Sequence, residues 1–138
     1  MAGLRYAVAE VIEVLDENGT IRIANAWIAA DVGVALDPAI IQAQMESALI
    51  YGLSAAVHGQ ITFENGAAEQ QNFPDYDALR LHNTPRIETR ILQNKPHISG
   101  IGEPGTPPSK PALANALFDL TGKRARTLPL AGQFPLLT

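Results

Sequence analysis

The residues best placed to do chemistry lie in one short segment, residues 100–108, which combines three glycines, three prolines and a single carboxylate, Glu103. Glycine lets another molecule approach the backbone closely, and proline stiffens a chain that glycine would leave loose. Such a loop can present one carboxylate to a large, flat ligand. Taken alone, the segment is also compatible with a solvated glutamate in an ordinary turn, and this simpler interpretation is favoured because short motifs often match by chance.

Longer patterns favour the interpretation that this loop presents Glu103 to a ligand. Residues 100–130 follow the pattern GxGEPGxPPxxPAxANAxFxxTGxRxRxLPL, residues 44–56 contain a QxE motif followed by Gly-Leu, and residues 72–85 contain NFxxY followed by an arginine and a proline. These blocks resemble the end of the large molybdenum-binding subunit of the xanthine dehydrogenase family. The resemblance is strongest to the branch that contains the isoquinoline 1-oxidoreductase beta subunit and related aldehyde dehydrogenases, and it extends over about residues 31–130.

The resemblance implies a role for each motif residue. The intact enzyme would oxidise an isoquinoline-like N-heterocycle or an aldehyde with water as the oxygen source, using molybdenum held by a molybdopterin dinucleotide in its cytosine form. Glu103 would be the general base. The cofactor would be contacted by Gln44, Gly100, Gly102 and Gly105. The family commonly has glycine where this chain has Ser47, so the chain departs from the pattern there.

The length of the chain limits what it could do by itself. Its 138 residues indicate a single domain, which resembles only the C-terminal part of the molybdopterin-binding region of a subunit several times longer. We interpret it as a fragment or the terminal part of a split subunit, inactive and free of cofactor alone. The implied partners are the remainder of the molybdenum subunit and an iron–sulfur subunit. The alternative is a non-catalytic structural or interaction domain.

Composition argues against several other functions. The net charge of −4 gives no basic field for nucleic acid or anionic lipid. The absence of cysteine excludes disulfides, thiolate zinc sites and cysteine-ligated iron–sulfur clusters within the chain. No apolar run approaches the roughly 18 residues of a membrane span, and neither His82 nor His97 has acidic neighbours at metal-ligand spacing. The compartment, cytoplasmic or periplasmic, stays open.

The order of periodic segments predicts an α+β fold. Asn18-Gly19 and Asn65-Gly66 indicate hairpin turns, and Asp37-Pro38 indicates a helix start. The predicted elements are strands over residues 4–15, 20–30, 60–63, 67–71 and 86–92, and helices over residues 38–58 and from Pro111 to Gly122. We expect a mixed or antiparallel sheet from two β-hairpins plus one further strand, with both helices packed on one face.

Apolar periodicity also predicts the core. The long helix has one broad apolar face, which consists of Ile41, Met45, Ala48, Leu49, Gly52, Leu53 and Ala56. Glycine at position 52 costs about 1 kcal/mol in helix propensity relative to alanine, which indicates close packing against another backbone. A large ring late in a strand is more often core than ligand platform, so Trp27 is expected inside.

Surfaces that would face the missing part of the subunit are expected to be exposed. Exposed apolar area drives self-association, so the isolated chain is expected to form a homo-oligomer with Glu103 accessible to solvent. The candidate side chains lie in the tail and are Leu128, Leu130, Phe134, Leu136 and Leu137. The tail itself would dock on a partner or fray.

Overall fold

An antiparallel hairpin begins the fold. In the computed structural model, which describes residues 7–138, strand β1 (Ala7–Glu17) turns at Asn18-Gly19 into strand β2 (Thr20–Asp31). Both turn residues have positive φ, 57° for Asn18 and 91° for Gly19, as a tight two-residue hairpin requires. Residues 4–6 of the strand predicted over 4–15 lie outside the described part of the chain.

Helix α1 (Pro38–Val57) follows β2 and ends one residue before the predicted boundary. The carboxylate of Asp37 accepts hydrogen bonds from the backbone N–H groups of Ala39 (3.0 Å) and Ile40 (3.1 Å), so it caps the first turn. The predicted apolar face of this helix is confirmed, because every one of its residues is buried.

Three further strands follow: β3 (Phe63–Glu64), β4 (Ala67–Ala68) and, after a 3-10 turn (Phe73–Asp75), β5 (Arg86–Leu92). β5 pairs in parallel with β2, which gives a mixed three-stranded sheet in the order β1-β2-β5 and confirms the predicted α+β fold. β3 and β4 form a separate two-stranded sheet. They are shorter than predicted because the side chain of Gln70, not strand backbone, accepts the hydrogen bond of the Thr62 N–H (2.8 Å).

Helix α2 (Thr106–Thr121) begins five residues before Pro111, so the predicted start of the last helix is wrong. Pro107 and Pro108 occupy the first turn, where a backbone N–H has no partner within the helix and proline is therefore tolerated. Pro111 lies inside the helix and removes the hydrogen bond that would reach the carbonyl of Pro107. The helix ends as predicted at Gly122, whose φ of 70° is left-handed.

A β-bulge in β2 reverses the side-chain pattern of that strand. The pairing register shifts between Glu13 and Val14 of β1, which leaves Ala24 of β2 as an extra residue. Odd-numbered residues of β2 are buried before the bulge and even-numbered residues after it. Trp27 therefore lies on the outer face of the sheet with 37% of its surface exposed, and the expectation that it belongs to the core is wrong.

The C-terminal tail docks on the core of its own chain. The N–H of Leu130 donates to the carbonyl of Ala56 (2.9 Å), and the N–H of Ile21 donates to the carbonyl of Pro135 (2.8 Å). The tail was expected to dock on a partner or to fray, and instead it packs on its own chain. The expected exposure of three of its side chains is wrong, because they are buried: Leu130, Phe134 and Leu136. Leu128 and Leu137 are exposed as expected.

The two helices cross each other at Gly52 while packing on the main sheet, α1 against β5 and β2 and α2 against β1. A Cβ at position 52 would collide with the hydroxyl of Ser109 and lie 2.7 Å from the carbonyl oxygen of Thr106. Only glycine allows the helices to approach this closely, which confirms the close backbone packing predicted at this position.

Replacing Gly52 by alanine tests the crossing. Alanine would raise helix propensity by about 1 kcal/mol, but overpacking a filled core costs about 1–3 kcal/mol. Because one neighbour is a backbone carbonyl that cannot rotate away, we expect Gly52→Ala to lower the free energy of unfolding by about 1–2 kcal/mol in urea denaturation. Gly132→Ala is the control, since the nearest atom to its added Cβ is 4.0 Å away. Unchanged stability of Gly52→Ala would contradict the close crossing.

Candidate functional site

Glu103 lies in a cleft between α1 and the loop that precedes α2. The cleft has a volume of about 530 Å³, within the usual range for small-molecule sites. Its lining residues are Ser47, Ala48, Tyr51, Gly102, Glu103, Thr106 and Pro107. The side chain of Glu103 is exposed, as expected for this chain by itself. The cleft therefore offers a carboxylate that a ligand can reach.

One residue ties the Glu103 loop to α1. The hydroxyl of Thr106 donates to the carbonyl of Ala48 (3.2 Å), and its backbone N–H donates to the carbonyl of Glu103 (3.0 Å). The same residue thus closes the turn that carries Glu103 and fixes that turn against the helix opposite. The position of the carboxylate relative to α1 is set by these two hydrogen bonds and by the helix crossing.

The other end of the loop is held at the end of β2. The carboxylate of Asp31 accepts the N–H of Asn94 (3.1 Å) and lies 3.5 Å from the ammonium of Lys95. The N–H of Ser99 donates to the carbonyl of Val32 (2.9 Å). The hydrogen bonds from the N–H groups of Asn94 and Gly33, with a smaller effect of Lys95, lower the pKa of Asp31. Residues 93–105 are therefore anchored at both ends.

Gln44, the predicted cofactor contact on α1, lies on the same side of the helix as the cleft. Gln44, Ser47 and Tyr51 are spaced i, i+3 and i+7, a spacing that places them in one row along the helix surface. Gln44 is exposed one turn before Ser47 and does not itself line the cleft. A ligand that contacts both Glu103 and Gln44 must extend along this row.

The three predicted glycines occupy different environments. Gly100 is exposed, and no heavy atom lies within 4 Å of the position that a Cβ on Gly102 would take. Gly105 is buried, and a Cβ there would lie 2.9 Å from the Cδ1 atom of Ile28 and 3.2 Å from the Cβ atom of Ala48. Gly102 therefore leaves open space beside Glu103, whereas Gly105 packs on the core and could reach a ligand only through its backbone.

Sequence reasoning missed the aromatic residues at the cleft. Tyr51 is 69% exposed and lies between the Glu103 cleft and a second cleft of about 520 Å³, which it lines with Ser47, Glu46 and Tyr76. The i+7 spacing from the predicted contact on α1 could have identified Tyr51. The role of Tyr76 depends on the path of the 69–85 loop, for which the sequence contains no periodic signal.

Glu10 was also missed as a residue near the site. It occupies a core-facing position of β1, in alternation with Val8, Ile12 and Val14, and burial raises its pKa to about 7. The sequence signal was present, because a carboxylate breaks an otherwise apolar alternation at this position.

The structure also bears on metals and membranes. Within residues 7–138 there is no group of three or more His, Cys, Asp or Glu side chains that could hold a metal ion. Neither helix in the described part of the chain is long and apolar enough to span a membrane.

The family of the chain follows from its sequence and its fold together. A profile of the molybdopterin cofactor-binding domain matches residues 4–85, more than half of the chain. The chain belongs to this domain family. The match covers β1, β2 and α1, which carries Gln44 and one wall of the cleft, while Glu103 lies beyond it.

Two named relatives match most of the chain. The chain is 36% identical over 123 residues to isoquinoline 1-oxidoreductase subunit beta of Brevundimonas diminuta, covering 89% of this chain and 16% of that protein. It is 33% identical over 113 residues to a membrane-bound aldehyde dehydrogenase (pyrroloquinoline-quinone) of Gluconacetobacter polyoxogenes, covering 82% of this chain and 15% of that one. The chain thus spans about one sixth of the length of these relatives.

A solved structure shares the fold. The crystal structure of quinoline 2-oxidoreductase from Pseudomonas putida 86 superposes with a TM-score of 0.72 at 18% sequence identity, covering 80% of this chain and 15% of that one. The α+β arrangement of the domain is therefore shared with a part of a much longer chain.

Removing the Asp31 carboxylate tests how the loop is anchored. Because the folded-state pKa of Asp31 is lowered, its stabilising contribution is fully present above its ordinary pKa and is lost as pH falls through the lowered folded-state pKa. In Asp31→Ala we expect the amide of Asn94 to exchange hydrogen roughly threefold faster or more at pH 6, with the difference shrinking near pH 3.

NMR-detected hydrogen exchange measures this effect. Asp119→Ala, which removes an exposed carboxylate from α2, is the control and should leave the exchange of Asn94 unchanged. Equal exchange rates in Asp31→Ala and the unmodified chain at pH 6 would show that Asp31 does not hold the loop.

Proposed function

We propose that this domain forms one wall of the active site of a molybdenum hydroxylase, with Glu103 as the general base. The observation that carries the proposal is the cleft in which Glu103 lies beside α1 with open space at Gly102. A general base must be within hydrogen-bond reach of the reacting molecule. The open space beside Glu103 and the anchoring of its loop at both ends support this role.

The residues around the cleft fit a molybdopterin dinucleotide, which we propose in its cytosine form. Exposed Gly100 and the open side of Gly102 allow a large group to approach the loop backbone. Gln44 would offer a side-chain amide that can donate and accept hydrogen bonds, and Gly105 would contribute through its backbone. The bound molybdenum group would supply the two-electron oxidation, while the protein binds and orients it.

Glu103 would handle one of the protons of the reaction. Hydroxylation converts a substrate C–H group and water into C–OH, two protons and two electrons. The carboxylate of Glu103 would accept one proton from the oxygen that is transferred, which makes that oxygen a better nucleophile. The two electrons would leave to an iron–sulfur subunit.

Substrate class and partners are proposed from the relatives. Their names include an isoquinoline oxidoreductase and an aldehyde dehydrogenase, which supports an N-heterocycle or an aldehyde as substrate. Because this chain corresponds to about 16% of the first relative, most of the cofactor pocket would come from the remainder of the molybdenum subunit. A dinucleotide cofactor needs an enclosing cleft, and such clefts commonly lie between domains.

Glu103→Gln in the intact enzyme tests the general base, since it keeps the shape of the side chain and removes its basicity. We expect kcat to fall by about 10²–10⁴-fold with molybdenum content unchanged. Steady-state kinetics and elemental analysis measure the two quantities. Glu64→Gln, an exposed glutamate on β3, is the matched control. Near-normal kcat in Glu103→Gln with a full molybdenum content would rule out the assignment.

The outer face of the sheet supports a second candidate, an interaction domain without catalysis of its own. Val11 is 61% exposed and Trp27 is 37% exposed, and they are partners in adjacent strands. Apolar pairs of this kind commonly mark surfaces that contact another protein. In the intact subunit this candidate predicts that substitutions at Glu103 leave turnover unchanged.

The 138-residue chain purified alone is expected to fold, self-associate and contain no molybdenum. Self-association follows from the exposed apolar side chains, and the lack of molybdenum follows from an incomplete pocket. Sedimentation velocity and elemental analysis of one sample measure both properties. A monomer that carries stoichiometric molybdenum and oxidises an aldehyde or N-heterocycle would contradict the prediction.

A further inference from the structure

Glu10 of the edge strand β1 is partly buried and faces the layer between the sheet and the helices. It pairs with Ile28 of β2, which in turn pairs with Thr89 of β5, so the three side chains form one row on the inner face of the sheet. Ile28 at the centre of the row is 1% exposed. The neighbours of Glu10 along β1 on this face are Val8 and Ile12. Glu10 therefore places a carboxylate between two apolar side chains on this face of β1.

The carboxylate oxygens of Glu10 are shielded from solvent and have no hydrogen-bond partner in the described part of the chain. Each of its two oxygens exposes less than 1 Å² and accepts no hydrogen bond from residues 7–138. The hydroxyl of Thr89 in the same row is also buried and has no hydrogen-bond partner among the described residues. Burying a charged carboxylate without compensation is costly, so the neutral acid is the form that this environment favours.

Glu10 lies close to the loop that carries Glu103. Its Oε1 atom lies 3.4 Å from the position that a Cβ on Gly105 would take, beside Ile28 and Ala48. Gly105 is two residues after Glu103 and immediately precedes α2. The carboxyl group of Glu10 therefore lies on the core side of this part of the loop.

The start of α2 does little to stabilise a negative charge at Glu10. A helix N-terminus normally offers free N–H groups to an anion. Here Pro107 and Pro108 have no N–H, and the N–H of Thr106 donates to the carbonyl of Glu103. The first turn of this helix is thus poor in donors.

Other charged groups do not compensate either. The inner-face residues next to Glu10 on β1, β2 and β5 are uncharged, and the α1 residue that lies beside Gly105 is Ala48. In sequence, the charged helix residues closest to Ala48 of α1 and to the start of α2 are Glu46 and Lys110, and no cation among residues 7–138 forms a salt bridge with Glu10. In agreement, burial is the cause of the raised pKa of Glu10.

We propose that Glu10 is a positioning residue for Glu103, which in its neutral form supports Gly105 and on ionisation displaces the loop. An ionised Glu10 must draw water into the layer or move away from Ile28, and either change shifts Gly105. The catalytic consequence rests on the proposed role of Glu103, whereas the coupling between Glu10 and Gly105 does not.

The coupling is measured on the 138-residue chain by following the amide signals of Gly102 and Gly105 by NMR between pH 5 and 9. We expect both signals to titrate with a midpoint near 7. The titration should disappear in Glu10→Gln, which is neutral at every pH, and persist in Glu13→Gln, an exposed glutamate on the opposite face of the same strand. Signals that do not titrate in the unmodified chain, or that still titrate in Glu10→Gln, would overturn the proposal.

The catalytic consequence is measured on the intact enzyme. We expect the kcat of the unmodified enzyme to fall at least tenfold between pH 7 and 9, and that of Glu10→Gln to fall less than threefold, with similar KM values for both. A structural role alone would lower kcat equally at all pH values, and that result would overturn the positioning role. If Glu103→Gln is fully active while the Gly105 titration is present, the general-base proposal fails and the coupling stands.

Discussion

The contact between α1 and α2 at Gly52 determines where the rest of the site can be. Because position 52 has no side chain, Thr106 and Ser109 at the start of α2 lie directly against α1. Thr106 then reaches the carbonyl of Ala48 and closes the turn that carries Glu103. The absence of a side chain at position 52 thus allows the loop that carries Glu103 to lie within one helical turn of the QxE motif.

The bulge at Ala24 has a similarly wide effect. It changes which residues of β2 face the helices, so that Ile28 enters the core and Trp27 leaves it. The same alternation of side chains after the bulge puts Ile28 in the row with Glu10, directly beneath Gly105. The inner face of the sheet supports the Glu103 loop, and its outer face is left with an aromatic ring available to another surface.

Local signals in the sequence predicted the local structure well. The Asn-Gly turns, the Asp37 cap and the apolar face of α1 each depend on neighbouring residues, and the structure has all of them. The predicted start of α2 was wrong because consecutive prolines are typical of loops, whereas here they occupy the first turn of the helix. The position of Trp27 and the docked tail depend on strand register and long-range packing, which periodicity does not report. For the site, the motif singled out Glu103, but the burial of Gly105 required the tertiary structure.

The docked tail has a consequence for the edges of the sheet. β5 covers β2 only from Asn25 onwards, which leaves the first half of β2 with one neighbour, β1. Ile21 in that half donates to Pro135 and accepts from the N–H of Leu137 (2.8 Å), so the tail acts as a short substitute strand. An unpaired strand edge is a template on which a second chain can add. By occupying it, a few residues at the end of the chain protect β2 from pairing between molecules, and they direct association towards side-chain surfaces instead.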